Sequence, residues 1–151
     1  MKTKIYYILC FIFIFSSFSQ TATVMKRFKD NGNGTITDTK TGLIWQQEPI
    51  SQNGCWEDAI ANAKKNRLAG YSNWRLPTIA ELRVLISGAD RKNKAEWLNL
   101  QGFKNVQPNW FWSSSEKDRN YSWYIYMRTG DIHAFLKVYG PYSAIYVRSS
   151  R

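Results

Sequence analysis

The apolar period changes twice along the chain. Arg27-Phe28-Lys29-Asp30 is followed by Asn31-Gly32-Asn33-Gly34, then by Thr35-Ile36-Thr37-Asp38, a turn over residues 39–42, and Leu43-Ile44-Trp45. Short runs closed by Asn-Gly pairs, which suit the positive φ of tight turns, predict strands folded back as hairpins. The middle is helical. Trp56, Ala59, Ile60 and Ala63 fall at i, i+3, i+4 and i+7, with Asn53 or Gly54 before them, Glu57 and Asp58 in the first turn, Lys64, Lys65 and Arg67 late, and Gly70 as a stop. A second helix starts at Thr78-Ile79-Ala80-Glu81, where Pro77 precedes a capping box and Leu82, Leu85 and Ile86 face inward.

From Phe111 the period returns to two. Tyr121, Trp123, Ile125 and Met127 alternate with Ser122, Tyr124, Tyr126 and Arg128. Arg128-Thr129-Gly130-Asp131 reads as a turn, and Ile132, Ala134, Leu136 and Val138 continue the alternation. Gly140-Pro141 breaks the chain before one last strand from Ala144 to Arg148. Strands, two short helices, then strands predict an α+β fold with a C-terminal antiparallel sheet.

The first residues stand apart. Lys2 and Lys4 precede an uncharged apolar run from Ile5 to Phe15, and Ser17-Phe18-Ser19 offers small residues before Gln20. The run is too short to span a bilayer and predicts a signal peptide over residues 1–19 of an exported bacterial-type precursor, followed by a short lead over residues 20–26 and one domain over residues 27–151. Cleavage also removes Cys10. Cys55 is then the only cysteine, so no internal disulfide forms and stability comes from packing. Cys55 reads as a buried, inert thiol; an intermolecular disulfide is the alternative.

Composition narrows the chemistry. The 151 residues carry 21 Lys plus Arg against 11 Asp plus Glu, a formal charge of +10, and 16% aromatics. There is no internal repeat, HExxH, Walker loop, CxxC pair or GxSxG motif. The acids are scattered through turns and helix starts, without an obvious glycosidase pair. No catalytic residue, metal ligand or cofactor is expected, and the chain is read as not an enzyme.

Several runs together carry a resemblance. They are Arg27-Phe28-x-Asp30 through Asp38, Thr41-Gly42-Leu43-Ile44-Trp45-Gln46, Trp56-Glu57-Asp58-Ala59, Ala69-Gly70-Tyr71-Ser72-Asn73-Trp74-Arg75-Leu76-Pro77-Thr78, Glu81-Leu82, Phe111-Trp112-Ser113-Ser114 and Val147-Arg148. This set resembles the C-terminal domain family of the Legionella collagen-like adhesin, over about residues 27–151. The resemblance implies a C-type-lectin-like fold and a surface module that binds sulfated glycosaminoglycans. The family's best-known member is a trimer; with no collagen-like repeat here, that assembly does not carry over. Within such a fold Trp45, Trp56, Trp74, Arg75 and Trp112 read as core, Arg75 as a guanidinium satisfying loop carbonyls.

Two chemistries suggested by the fold family fit poorly. Gln107-Pro108-Asn109 resembles a calcium lectin's sugar-specifying tripeptide but precedes the Trp112 strand, and only Glu116 and Asp118 lie near it, too few carboxylates for calcium. The Asp30–Asp38 loop places Lys and Gly at ligand positions and is a hairpin turn. The formylglycine-generating oxidases share a related fold but use paired cysteines. The basic excess remains: Lys92, Lys94, Lys104, Lys117, Arg119, Arg128 and Lys137 fall in the long loop and late sheet, interleaved with Trp110, Tyr124, Tyr126, Tyr139 and Tyr142. In an exported protein, cations beside stacking faces point to an anionic glycan or other polyanion rather than nucleic acid. The predicted site is Lys117, Arg119, Lys137, Arg128, Trp110 and Tyr139, with Lys64 and Lys65 left to the solvated face of the first helix. A protein partner and self-association are the alternatives.

Overall fold

The computed structural model describes residues 26–51, 54–89, 92–140 and 142–150; the signal peptide expected over residues 1–19, the expected lead as far as Met25, Asn53 and Pro141 lie outside them. The elements in order are β1 (Phe28–Asp30), β2 (Thr35–Asp38), β3 (Leu43–Gln46), β4 (Ile50–Ser51), α1 (Trp56–Lys65), a 3-10 turn (Leu68–Gly70), α2 (Ile79–Leu85), α3 (Lys94–Leu100), β5 (Trp110–Glu116), β6 (Tyr121–Tyr126), β7 (Ile132–Leu136), β8 (Ser143–Ala144) and β9 (Val147–Ser149). They build an α+β fold with two sheets, ordered β1-β2-β3-β9 and β4-β8-β5-β6-β7.

The first hairpin forms as its turn residues require. Gly32 and Gly34 take φ of +72° and +81°, the Gly32 N–H donates to the Asp30 carboxylate, and Asn31 spans to the Thr35 and Thr37 hydroxyls. Its second link is long-range. Arg27 grips both oxygens of buried Asp38 at 2.9 and 2.8 Å and donates to the Val84 and Ser87 carbonyls at the end of α2, tying the first hairpin to that helix end.

The capping box at α2 is present: the Thr78 hydroxyl accepts from the Glu81 N–H, and the Glu81 carboxylate from the Thr78 N–H, at 3.2 and 2.8 Å. Arg75 reaches the same carboxylate with two nitrogens, at 2.8 and 2.7 Å, and bonds the Leu76 carbonyl. Its backbone pairs with Val147 in β9, while Arg148 bonds Asn73 and stacks on Tyr71. The segment from Tyr71 to Thr78 is thus clamped to the last strand.

Two apolar clusters follow from strand alternation. Phe28, Ile36, Trp45, Leu82, Leu85, Leu98, Phe111, Ile125, Met127 and Val147 fill one. Ala59, Ala63, Trp74, Leu76, Trp112, Tyr142, Ala144 and Tyr146 fill the other, beneath α1. Trp45, Trp112 and Trp74 are core as expected; Trp56 is half-buried and donates from Nε1 to the Ser113 carbonyl.

Four expectations change. The last strand is two, because Ser143–Ala144 pairs in the second sheet and Val147–Ser149 crosses to the first. The second sheet is mixed, since β8 runs parallel to β5. The loop holding Lys94 is helical: Asn93 caps α3 through the Glu96 N–H, and Ala95 and Leu98 go inward. Cys55 is half-buried rather than buried. It stands at the start of α1, its N–H and thiol donating to the Asp58 carboxylate.

Candidate functional site

Alternation in β5, β6 and β7 sends every second side chain to the face opposite Phe111 and Ile125. Register places Trp110 opposite Tyr126, Trp112 opposite Tyr124, and Tyr124 opposite His133. The rings follow. Trp110 stacks on Tyr126 at 5.6 Å and 29°, and Tyr124 lies 6.2 Å from Trp112 and 6.0 Å from His133. A loop lays Tyr142 across them, its ring 5.7 Å from Trp110, 4.6 Å from Trp112, 5.1 Å from Tyr124 and 5.8 Å from Phe135. Gly140 allows this crossing: its φ is +116°, and an added Cβ would lie 3.2 Å from the Tyr142 ring.

The cluster grades from closed to open. Trp112 is sealed beneath α1 and Tyr142 is 8% exposed, whereas Trp110 and Phe135 are 42% and 39% exposed and His133 is exposed. Burial, with Tyr124 adding to it, pushes the Tyr142 hydroxyl pKa up, so it stays a neutral phenol. The result is a fixed row of ring faces with few rotamers left to order, an arrangement suited to stacking.

The predicted site residues do not converge. Trp110 joins the row with Tyr124, Tyr126 and Tyr142, but Tyr139 stands outside it, 60% exposed beyond β7. Lys117 and Arg119 are exposed in the β5–β6 turn and Arg128 in the β6–β7 turn, at opposite ends of strands roughly 20 Å long. Lys137 is the clear correction. It is 7% exposed, its ammonium pairs with Glu116, accepts no solvent-facing role, and donates to the Asp118 and Arg119 carbonyls at 3.1 Å while lying 4.7 Å from the Trp56 ring. It holds the β5–β6 turn to α1 and is not presented to a ligand.

Phe135 and His133 are the site members that sequence reasoning passed over. The signal was there: counting back from the Arg128–Asp131 turn pairs His133 with Tyr124, which puts both on the ring face.

Other features belong to structure. Glu116 is taken by Lys137, and the Asp118 carboxylate accepts the Asn120 and Tyr121 N–H groups. Asn109 of the Gln107-Pro108-Asn109 run bonds the Met127 and Trp110 N–H groups. Among the described residues no group of three or more His, Cys, Asp or Glu is placed to hold a metal ion. A cleft of about 490 Å³ opens between Gly34, Gln46, Glu48, Leu68 and Lys104, away from the rings.

The family model described as the Lcl C-terminal domain matches residues 34–148. No curated protein matches the chain.

Proposed function

The chain belongs to the Lcl C-terminal domain family, that of a Legionella collagen-like protein, and from that premise we propose that it is an exported, surface-displayed and non-catalytic adhesion module that binds an anionic glycan along its second sheet. The observation that carries this reading is the open end of the ring row. Trp110, Tyr126, Tyr142 and Phe135 form a contiguous stack of rings in which Trp110 and Phe135 are 42% and 39% exposed, leaving ring faces on which a sugar can stack.

The placement of charge favours a polymer over a single sugar. Arg128 lies at one end of β6 and Lys117 and Arg119 at the other, with the rings between. A sulfated or carboxylated chain running the length of the strand meets a cation at each end and stacking faces in the middle. Arg128 and Arg119 offer the two-nitrogen geometry that suits such groups.

A glycan array with a salt titration tests this. Binding to sulfated or uronic polymers should collapse by about 0.5 M salt. Trp110→Ala should weaken it at least tenfold, about 1.4 kcal/mol, with a melting shift well below that of the fully buried Trp112→Ala. Neutralising Lys64 and Lys65, on the outer face of α1, should leave affinity within about twofold. No glycan binding, with a specific protein captured through the same rings, would move the assignment to a protein-interaction module.

A further inference from the structure

The first hairpin and the loop after α3 meet at a cleft whose lining includes no aromatic ring. Register places Gln46, the last residue of β3, opposite Thr35, next to the Gly34 turn. The Gln47 N–H donates to the Gly34 carbonyl and the Lys104 N–H to the Gln47 carbonyl, each at 2.9 Å. The Gln47 amide is spent on the Asp30 carboxylate and the Gly102 carbonyl, at 2.8 and 3.0 Å. The walls are thus fixed by backbone bonds and one buried side chain. The volume of about 490 Å³ falls in the range of small-molecule sites, roughly 300–1,000 Å³.

Glycine keeps the cleft open. Gly34 has a φ of +81°, and a Cβ there would lie 3.2 Å from Leu68 Cδ1, so a side chain would be strained and would press on the 3-10 turn. The polar groups of the lining are largely unspent. Gln46 Oε1 is enclosed, yet no described residue donates to it, and an amide oxygen buried without a partner is costly. The last torsion of a glutamine is soft, so a donor entering the cleft can draw that oxygen to it. Glu48 gives one oxygen to the Asn105 amide at 2.5 Å, and its other oxygen receives no donor among the described residues. The Lys104 ammonium makes no hydrogen bond among them and meets the Asp30 carboxylate through charge alone.

We propose that this cleft binds a neutral sugar unit, independently of what the rings bind. Charge argues against an anion here. Lys104 and Glu48 cancel within the lining, and Asp30 adds a carboxylate behind Gln47. That balance sets the cleft apart in a chain of formal charge +10. Hydrogen bonding argues for hydroxyls. Glu48 and Gln46 offer two acceptors and Lys104 a donor, and a hydroxyl both donates and accepts. Leu68, Pro49 and Ile50, the last 39% exposed, supply an apolar side for the C–H face of a sugar ring. A wholly apolar ligand would leave the three polar groups unpaired, and an acid would bring its charge beside Glu48.

Proton–nitrogen NMR titration of the exported chain with glucose, galactose, mannose and N-acetylglucosamine, each to about 50 mM, tests the proposal. At least one sugar should saturably shift the Gly34, Gln47 and Lys104 amides and the Gln46 side-chain amide, and leave the Trp110 indole N–H in place. Its affinity should hold within about twofold between about 0.05 and 0.5 M salt, and glucuronate should bind no more tightly. Glu48→Ala and Lys104→Met change exposed side chains and should each weaken binding at least about fivefold. These readouts are separate from the polyanion reading, which rests on Trp110 and the ends of β6. No saturable shift with any of the four sugars, shifts confined to the ring row, tighter binding of glucuronate, affinity lost in salt, or affinity that both substitutions leave intact overturns it.

Discussion

Replacing Arg27 by Ala should expose how strongly the first sheet depends on one buried charge. Asp38 is fully buried, and its two oxygens receive the guanidinium at 2.9 and 2.8 Å. Without Arg27 the carboxylate keeps the Lys40 N–H at 3.0 Å but no counter-charge. Removing one partner of a buried pair costs about 3–5 kcal/mol, and the Val84 and Ser87 carbonyls lose donors as well. For a domain of this size that corresponds to a melting temperature lower by roughly 10–20 °C. The pH dependence separates charge from packing. Burial pushes the Asp38 carboxyl pKa up, but the Arg27 guanidinium and the Lys40 amide outweigh it and hold the group below the usual carboxylate range. A depressed native pKa contributes stability that is fully present above the unfolded value, about 4, and lost as pH falls through the native one. Urea unfolding between about pH 3 and pH 7 should therefore show the gap between wild type and Arg27→Ala largest at neutral pH and narrowing as pH falls, because the unpaired, buried Asp38 of the variant protonates before that of the wild type. A neutral-pH gap under about 1 kcal/mol, or one that stays constant into acid, would refute the ion-pair account and leave the carbonyl bonds to Val84 and Ser87 and the 4.5 Å contact with Phe28 as what Arg27 supplies.

Three further outcomes follow from the same geometry. Trp112→Ala empties a fully buried aromatic site and should cost about 3–5 kcal/mol by denaturant unfolding, in contrast to Trp110→Ala two positions away. Thr78→Ala removes the hydroxyl that accepts from Glu81 and should cost about 1 kcal/mol, readable as a small melting shift. Lys137→Met keeps the stem over Trp56 but loses Glu116 and two carbonyls. It should destabilise by about 1–3 kcal/mol, the low side of a buried pair because Glu116 is half exposed, while leaving salt-sensitive glycan binding unchanged.

The fold was legible where local signals and tertiary packing agree. The Asn-Gly hairpin, the α1 stripe, the α2 capping box and the alternation of β6 and β7 all appear where periodicity puts them. α3 escaped because its inward positions, Ala95 and Leu98, make a stripe of only two residues; the Asn93-to-Glu96 spacing was the available sign. The break in the last strand was hidden for a different reason. Ala144 through Val147 is one apolar run with nothing polar to mark the crossing, and only competition for two sheet edges divides it.

The site divides along the same line. Ring positions on a strand are fixed by a period of two and a turn of known length, so the sequence alone is enough to place Trp110, Tyr124 and Tyr126 on one face, and Phe135 with them. The fate of a lysine is settled by partners far away in the chain. Lys137 alternates as an outward position should, yet Trp56 stands 81 residues before it and Glu116 21 residues before it, and together they draw its ammonium inside. Arg27 and Arg148 are likewise committed, to Asp38 and the end of α2 and to Asn73 and Tyr71. A basic composition thus overstates the charge offered to a ligand, because several of the cations in the most recognisable motifs are structural. What remains free at the ends of β6 is Lys117, Arg119 and Arg128. Three cations separated by a strand's length give weak local attraction, so any specificity this surface has must come mainly from the rings between them.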